Sequence, residues 1–373
     1  MIAAPNPVQR PPEAKLLVFK RDGGLQHLPR TGLIDVLRPG DLVIANDAAT
    51  LPASLHGEHH PSGKAVEVRL AGHTSFAGED IHHFSAIIFG AGDFHLRTED
   101  RSLPPALAAG DRLTLGPLRA TITGTLDHPR FVELAFDGSS DAIWGGIAHH
   151  GRPIQYSHVP APLELWDVWT PFAGPPVAFE APSAGFALDW KTVAAMRSKG
   201  ICFATITHAA GISSTGDPQL DMRLPLDEAY FIPQSVAGAI GQTRARGNRV
   251  VAIGTTVVRA LEDAAGFDGI VRPGKGIARQ RIDQRTRLRV IDAILSGTHE
   301  PGTSHHELLR AFIDDAALKH VDEALDAHGY RTHEFGDSVY IERQEQKDSD
   351  GNRGSAGSGK NSRRPPRPIG GEN

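Results

Sequence analysis

The chain has 373 residues, 40% of them hydrophobic, a formal net charge of −5 and one cysteine, Cys202. That is enough apolar chain for a sizeable core in roughly two domains. It excludes an internal disulfide and a strongly basic, general nucleic-acid binder, though not a local basic patch. No stretch approaches the roughly 18 apolar residues of a membrane span, and Met1–Pro12 is proline-rich with no apolar signal core, so the expectation is a soluble cytoplasmic protein. Flanked by Ile201 and Phe203, Cys202 reads as a buried structural thiol.

In chain order, Lys15–Lys20 predicts a first strand. Pro39-Gly40 makes a turn, Leu42–Ala45 a strand buried on both faces, and Asn46-Asp47 its polar end. From Gly57 to His150 the texture changes. Short alternating runs (Ala65–Leu70, Phe84–Phe89, Arg112–Leu115, Ala120–Thr123, Phe131–Phe136) are separated by glycine and proline turns, with no helical period. Such spacing predicts a small β-barrel, inserted within the chain.

Pro182–Gly185 is then a small-residue loop, and Asp189 caps a helix to about Lys199 with Gly200 as its stop. Ile201–Thr207 reads as a strand with His208 just past it, and Gln234–Arg246 as a helix stopped at Gly247. Val250–Ile253 is an apolar, β-branched strand ended by Gly254. Thr255 or Thr256 is expected to cap the helix that follows through Leu261, where Arg259 and Glu262 can share a face as an ion pair. Strand, polar turn and helix together place ligand-binding groups at the carboxyl end of a sheet. Arg287–Ile291 predicts a strand with alternating cations, Ser304–Glu307 a capping box, and Gly336–Ile341 a last strand. The capping-box helix, or a partner helix after a break near Asp314, reaches about His328. The composition beyond Glu342 is that of a disordered tail, whose Arg363, Arg364 and Arg367 can brush RNA.

The chain has no glycine-rich dinucleotide fingerprint, Walker loop or nucleophilic serine elbow. None of its His-His pairs (His59-His60, His82-His83, His149-His150, His305-His306) shows the helical two-His-plus-Glu zinc pattern, so no metal is expected.

Several blocks, in order, resemble the S-adenosylmethionine:tRNA ribosyltransferase-isomerase family of queuosine biosynthesis. They are Pro39-Gly-Asp-Leu, Asn46-Asp47 and Pro52-Ala53; Ala181–Gly185; Thr207-His208; Gly254–Glu262; Arg287–Asp292 with His299 and Pro301; and Tyr330-Arg331 with Gly336-Asp337. The resemblance implies a mixed α/β domain (residues 13–56 and 151–342) interrupted by a β-barrel (57–150), with 343–373 as a tail. It also implies that the ribosyl moiety of S-adenosylmethionine is moved onto the prequeuosine base of tRNA and isomerised. The products are epoxyqueuosine, adenine and methionine, and no metal or further cofactor takes part.

On that basis the expected catalytic residues are Asp47, His208, Glu262, His299 and Asp337. The expected substrate-binding residues are Asn46, Ser183, Gly185, Gly254, Thr255, Thr256, Arg259, Arg287 and Arg289, with Arg259 as a fork for the methionine carboxylate. The expected partners are S-adenosylmethionine and precursor tRNA, with no membrane and a monomeric chain. The chain departs from the family pattern at Ala48-Ala49, Phe186–Leu188, Ala209–Thr215 and Gly297-Thr298, where the family's arginine, histidine and asparagine are replaced. The alternative is therefore a paralogue that binds S-adenosylmethionine or a nucleoside without modifying tRNA.

Overall fold

The computed structural model describes residues 1–73 and 81–344. Its centre is a nine-stranded mixed sheet, in the order Gly274–Ala278, Glu228–Ile232, Cys202–His208, Leu42–Asn46, Val250–Ile253, Ala293–Gly297, Ser338–Glu342, Lys15–Phe19 and Leu25–Pro29. Cys202–His208, Leu42–Asn46, Val250–Ile253 and Ala293–Gly297 are mutually parallel, so His208, Asn46, Ile253 and Gly297 finish at one edge.

The alternation of side chains explains why these strands read as unbroken apolar runs. Leu42, Ile44, Val250 and Ala252 pack on one face, beneath the helices Gln234–Ala245, Thr255–Ala264 and Asp315–Ala327. Val43, Ala45, Val251 and Ile253 pack on the other, with Leu33, Leu37 and Met196. Both faces are covered, as a parallel core requires.

The strands Ser54–His59, Lys64–Gly72, His83–Phe89, Arg112–Leu115, Leu118–His128 and Phe131–Phe136 close into a six-stranded antiparallel barrel. The expected absence of helix here needs correction: Ser140–His150 is a helix, capped by Ser139. Its Ile143 and Ile147 join the barrel core. Gly146 hides its period, because an added Cβ there would lie 2.3 Å from Leu118.

Four further expectations change. Arg287–Ile291 is not a strand: the N–H groups of Arg289, Val290 and Ile291 donate to the Glu262 carboxylate (2.7–3.0 Å), and the strand begins only at Ala293. Glu262 is thereby unavailable to Arg259, and the expected pair between them does not form. Thr303, not Ser304, caps the helix Ser304–Leu309, while Asp314 caps the next, Asp315–Ala327. Cys202 is exposed, at the open start of its strand.

Arg343 and Gln344 remain hydrogen-bonded to the domain, and the rest of the expected tail lies outside the described residues. Among the described residues, no helix is long and apolar enough to cross a membrane.

Candidate functional site

A cleft of about 450 Å³ opens at the carboxyl edge of the parallel strands, beside the Gly254 turn. Gly254 has φ +93°, a conformation that L side chains resist, and an added Cβ would press on Ala184 at 3.2 Å. Gly254 itself occupies the N-cap of the helix Thr255–Ala264, and no side chain caps that helix. The expected threonine cap is therefore absent. The free N–H groups of the first turn, with the positive end of the helix dipole, belong to the cleft.

Of the expected residues, Ser183, Gly254, Thr255, Thr256 and His299 line this cleft. Arg259 lies under the Thr255-Thr256 turn, on a smaller cavity shared with Glu228 and His305. There its guanidinium pairs with Glu228 and donates to Leu226 O (3.1 Å) and Ala278 O (2.9 Å). Burial pushes its pKa down to about 10. Both terminal nitrogens of the fork are thus engaged by the protein, and only Nε is without a partner.

Most of the other expected residues are held in hydrogen-bonded or packed positions at or near the same edge. His208 is wholly buried, with Nε2 3.4 Å from Glu228 and no hydrogen bond to either ring nitrogen. Burial, then Arg259, drives its pKa well below the usual value. Asn46 brackets His208, accepting from its N–H and donating to its carbonyl, both at 2.9 Å. Asp47 accepts from Thr205 and Thr207, both at 2.7 Å. Asp337 accepts from the N–H groups of Lys15 (2.7 Å) and Arg331 (2.8 Å). Gly185 gives room to Thr170, whose Cγ2 an added Cβ would meet at 2.8 Å. Arg287 and Arg289 lie on a different groove, with Gly247, Asn248 and Arg249 at the start of Val250–Ile253. They are at the opposite edge of the sheet from the cleft.

The cleft is instead furnished by residues that the sequence reading passed over: Tyr156, His158, Glu180, His305, His333 and Glu334. The Tyr156 hydroxyl donates to Glu180, which also accepts from the N–H of Ser213 at 3.0 Å. Burial lifts the Glu180 carboxyl to about 7 in spite of those bonds. Burial, then the charge of Glu180, raises the Tyr156 phenol. His299 and His305 stack with ring centroids 4.6 Å apart. Burial, then His305, holds His299 well below its usual pKa, and burial, then Arg259, takes His305 to about 4, so both are neutral at pH 7. Little in the sequence flags these residues. Glu180 follows an apolar pair and His305 sits inside an apparent capping box, so each has a local explanation.

The cleft can therefore do three things. It can receive an anionic group at an uncapped helix start, lay a planar heterocycle against neutral imidazoles, and exchange a proton through a carboxyl poised near neutrality.

The family described as queuosine biosynthesis protein matches residues 1–341. Two relatives are called S-adenosylmethionine:tRNA ribosyltransferase-isomerase. One, from Sorangium cellulosum, is 32% identical over 89% of this chain and 94% of its own. The other, from Synechococcus elongatus, is 30% identical over 91% of this chain and 92% of its own. A crystal structure of S-adenosylmethionine tRNA ribosyltransferase from Thermotoga maritima aligns at 20% identity and a TM-score of 0.48, covering 91% of this chain and 96% of that one. By the extent of the family match and the two relatives, the chain belongs to the queuosine biosynthesis protein family.

Proposed function

We propose that this chain transfers and isomerises the ribosyl moiety of S-adenosylmethionine onto the prequeuosine base of tRNA, with adenine and methionine as leaving products. It acts as a cytoplasmic monomer. The barrel, near residues 57–150, is an inserted unit that contributes Arg97, Thr98 and Glu99 to the cleft rim.

The observation that carries this reading is the Glu180–Tyr156 pair, placed in one cleft with the Gly254-Thr255-Thr256 turn. The attacking amine of the base must lose a proton and the departing adenine must gain one. A carboxyl with a pKa of about 7 is matched to both transfers at neutral pH. The uncapped start of Thr255–Ala264 is suited to the methionine carboxylate, replacing the Arg259 fork. His299 and His305, both neutral, offer flat faces and ring nitrogens to adenine without repelling the sulfonium. Glu99 and Glu300, also on the cleft, favour that cation.

The test is incubation with S-adenosylmethionine and tRNA bearing the precursor base. Adenine release that requires both substrates, with the ribosyl-derived group recovered on the tRNA, is the expected result. Tight S-adenosylmethionine binding with no adenine release under any condition would leave the non-modifying paralogue instead.

A further inference from the structure

We propose that His158, His333 and Glu334 form a binding site for one first-row divalent transition-metal ion on the wall of the cleft. The inference goes beyond the proposed activity and does not rest on it. The sequence spacing gave no hint of such a site, because one ligand lies far from the other two in the chain.

One ligand atom from each residue falls within a 4.8 Å group. His158 Nε2 and a Glu334 carboxylate oxygen are already 2.9 Å apart. Around a single ion with bonds of roughly 2.0–2.2 Å, ligand atoms sit roughly 3–3.5 Å from one another. Closure therefore needs side-chain movements of about an ångström, with the ion replacing the proton shared by His158 and Glu334.

The backbone supplies a second, independent observation. His333 has φ +69°, one of only two non-glycine residues at positive φ among the described residues. An imidazole residue held there is strained, and such strain gathers at functional positions. Its effect is visible. In extended chain His333 and Glu334 would point to opposite sides, yet both line the cleft. The His158 and His333 rings stack with centroids 4.2 Å apart and 23° between planes, which sets their edges side by side.

Access also suits a metal. The side chains of His158 and Glu334 retain 15% and 28% exposure, so an ion can enter from the cleft and keep open positions toward it. Glu300, with an oxygen 3.8 Å from His333 Nε2, adds a further negative charge beside the group. Two imidazoles and one carboxylate with open positions suit Zn²⁺, Co²⁺ or Fe²⁺, and lack the all-oxygen set of Ca²⁺. An oxygen or nitrogen donor of a bound small molecule would complete the coordination.

The experiment is titration of the chelator-treated, full-length chain with Zn²⁺ by calorimetry, and with Co²⁺ by visible absorption. The expected result is one ion per chain, with d–d bands reporting nitrogen–oxygen ligation. His158→Ala and Glu334→Gln should each weaken binding by roughly tenfold or more, while His95→Ala, on the exposed barrel surface, changes nothing. Far-ultraviolet dichroism establishes that each variant folds, and the stoichiometry of the unaltered chain stands whether or not they do. Absence of stoichiometric binding overturns the proposal. So does an affinity that is the same in the folded His158→Ala and Glu334→Gln proteins.

Discussion

The two ends of the central sheet carry similar kinds of side chain and use them in opposite ways. At the amino end, around an arginine-rich groove of about 1080 Å³, the carboxylates at this edge are each paired with an arginine. Arg249 clamps Asp41 at 2.6 Å and also pairs with Glu342, Arg38 reaches Glu342 at 3.0 Å, and Arg343 reaches Asp292 at 3.1 Å. At the carboxyl end, polar groups are left short of partners or out of their usual protonation state. His299 and His305 are held neutral, Glu180 is poised near 7, and a helix starts without a cap. The carboxyl-end cleft is the candidate site because its polar groups are held at a desolvation cost that their neighbours do not fully offset, not because of its arginine and carboxylate content.

The largest expected effect breaks the carboxyl end. Glu180→Gln should lower turnover by roughly 10²-fold or more and remove the inflection near pH 7 from the kcat/KM profile. A profile that keeps its inflection would reassign the base. The same variant has a stability signature. The folded pKa of about 7 exceeds the ordinary 4.5, so the folded chain binds more protons than the unfolded one between those values. This contribution is fully present below about 4.5 and is lost as pH rises through 7. Between pH 5 and 8, Tm should therefore fall less in Glu180→Gln than in the parent.

Next comes the amino end. Arg249→Met leaves Asp41 and Glu342, 2% and 11% exposed, without their shared cation. A loss of about 2–3 kcal/mol in denaturant unfolding is expected, with KM for S-adenosylmethionine unchanged. A changed KM would show that the two ends are coupled. His299→Ala should be milder in the other sense, raising KM for S-adenosylmethionine by roughly tenfold through one lost hydrogen-bonding ring and its stacking face, with a smaller change in kcat. Smallest of all, Arg287→Ala with Arg289→Ala should leave that KM unaltered and make the salt dependence of tRNA binding shallower by less than about one charge per residue. A steeper loss would turn the amino-end groove into a principal tRNA contact.

Much of the framework was legible from local pattern. The buried strands Leu42–Asn46 and Val250–Ile253, the barrel strands, the break at Asp314 and the glycine at the Gly254 turn all follow from short-range rules of period, turn chemistry and capping. The site was legible only in part. Ser183, Gly254–Thr256 and His299 line the cleft, whereas Asp47, Asn46 and Asp337 are polar residues at strand ends that serve backbone N–H groups and neighbouring threonines. From sequence, a carboxylate that ties loops together and one that faces substrate look the same. Glu262 shows this most plainly: its helical spacing promised Arg259, but three N–H groups of a loop claimed it. The fold packs Ala48 with Ala178 and Ala210 in a small apolar cluster.

By itself, then, the sequence determined which segments become strands and helices and where the carboxyl edge of the sheet carries polar groups, because those outcomes depend on neighbours a few residues apart. Only the tertiary structure decided that Arg259 and His208 share Glu228 beneath the floor, and that Tyr156, Glu180, His333 and Glu334 meet above it. Burial and ion pairing depend on which distant residue arrives first at each charge, and that is set by packing.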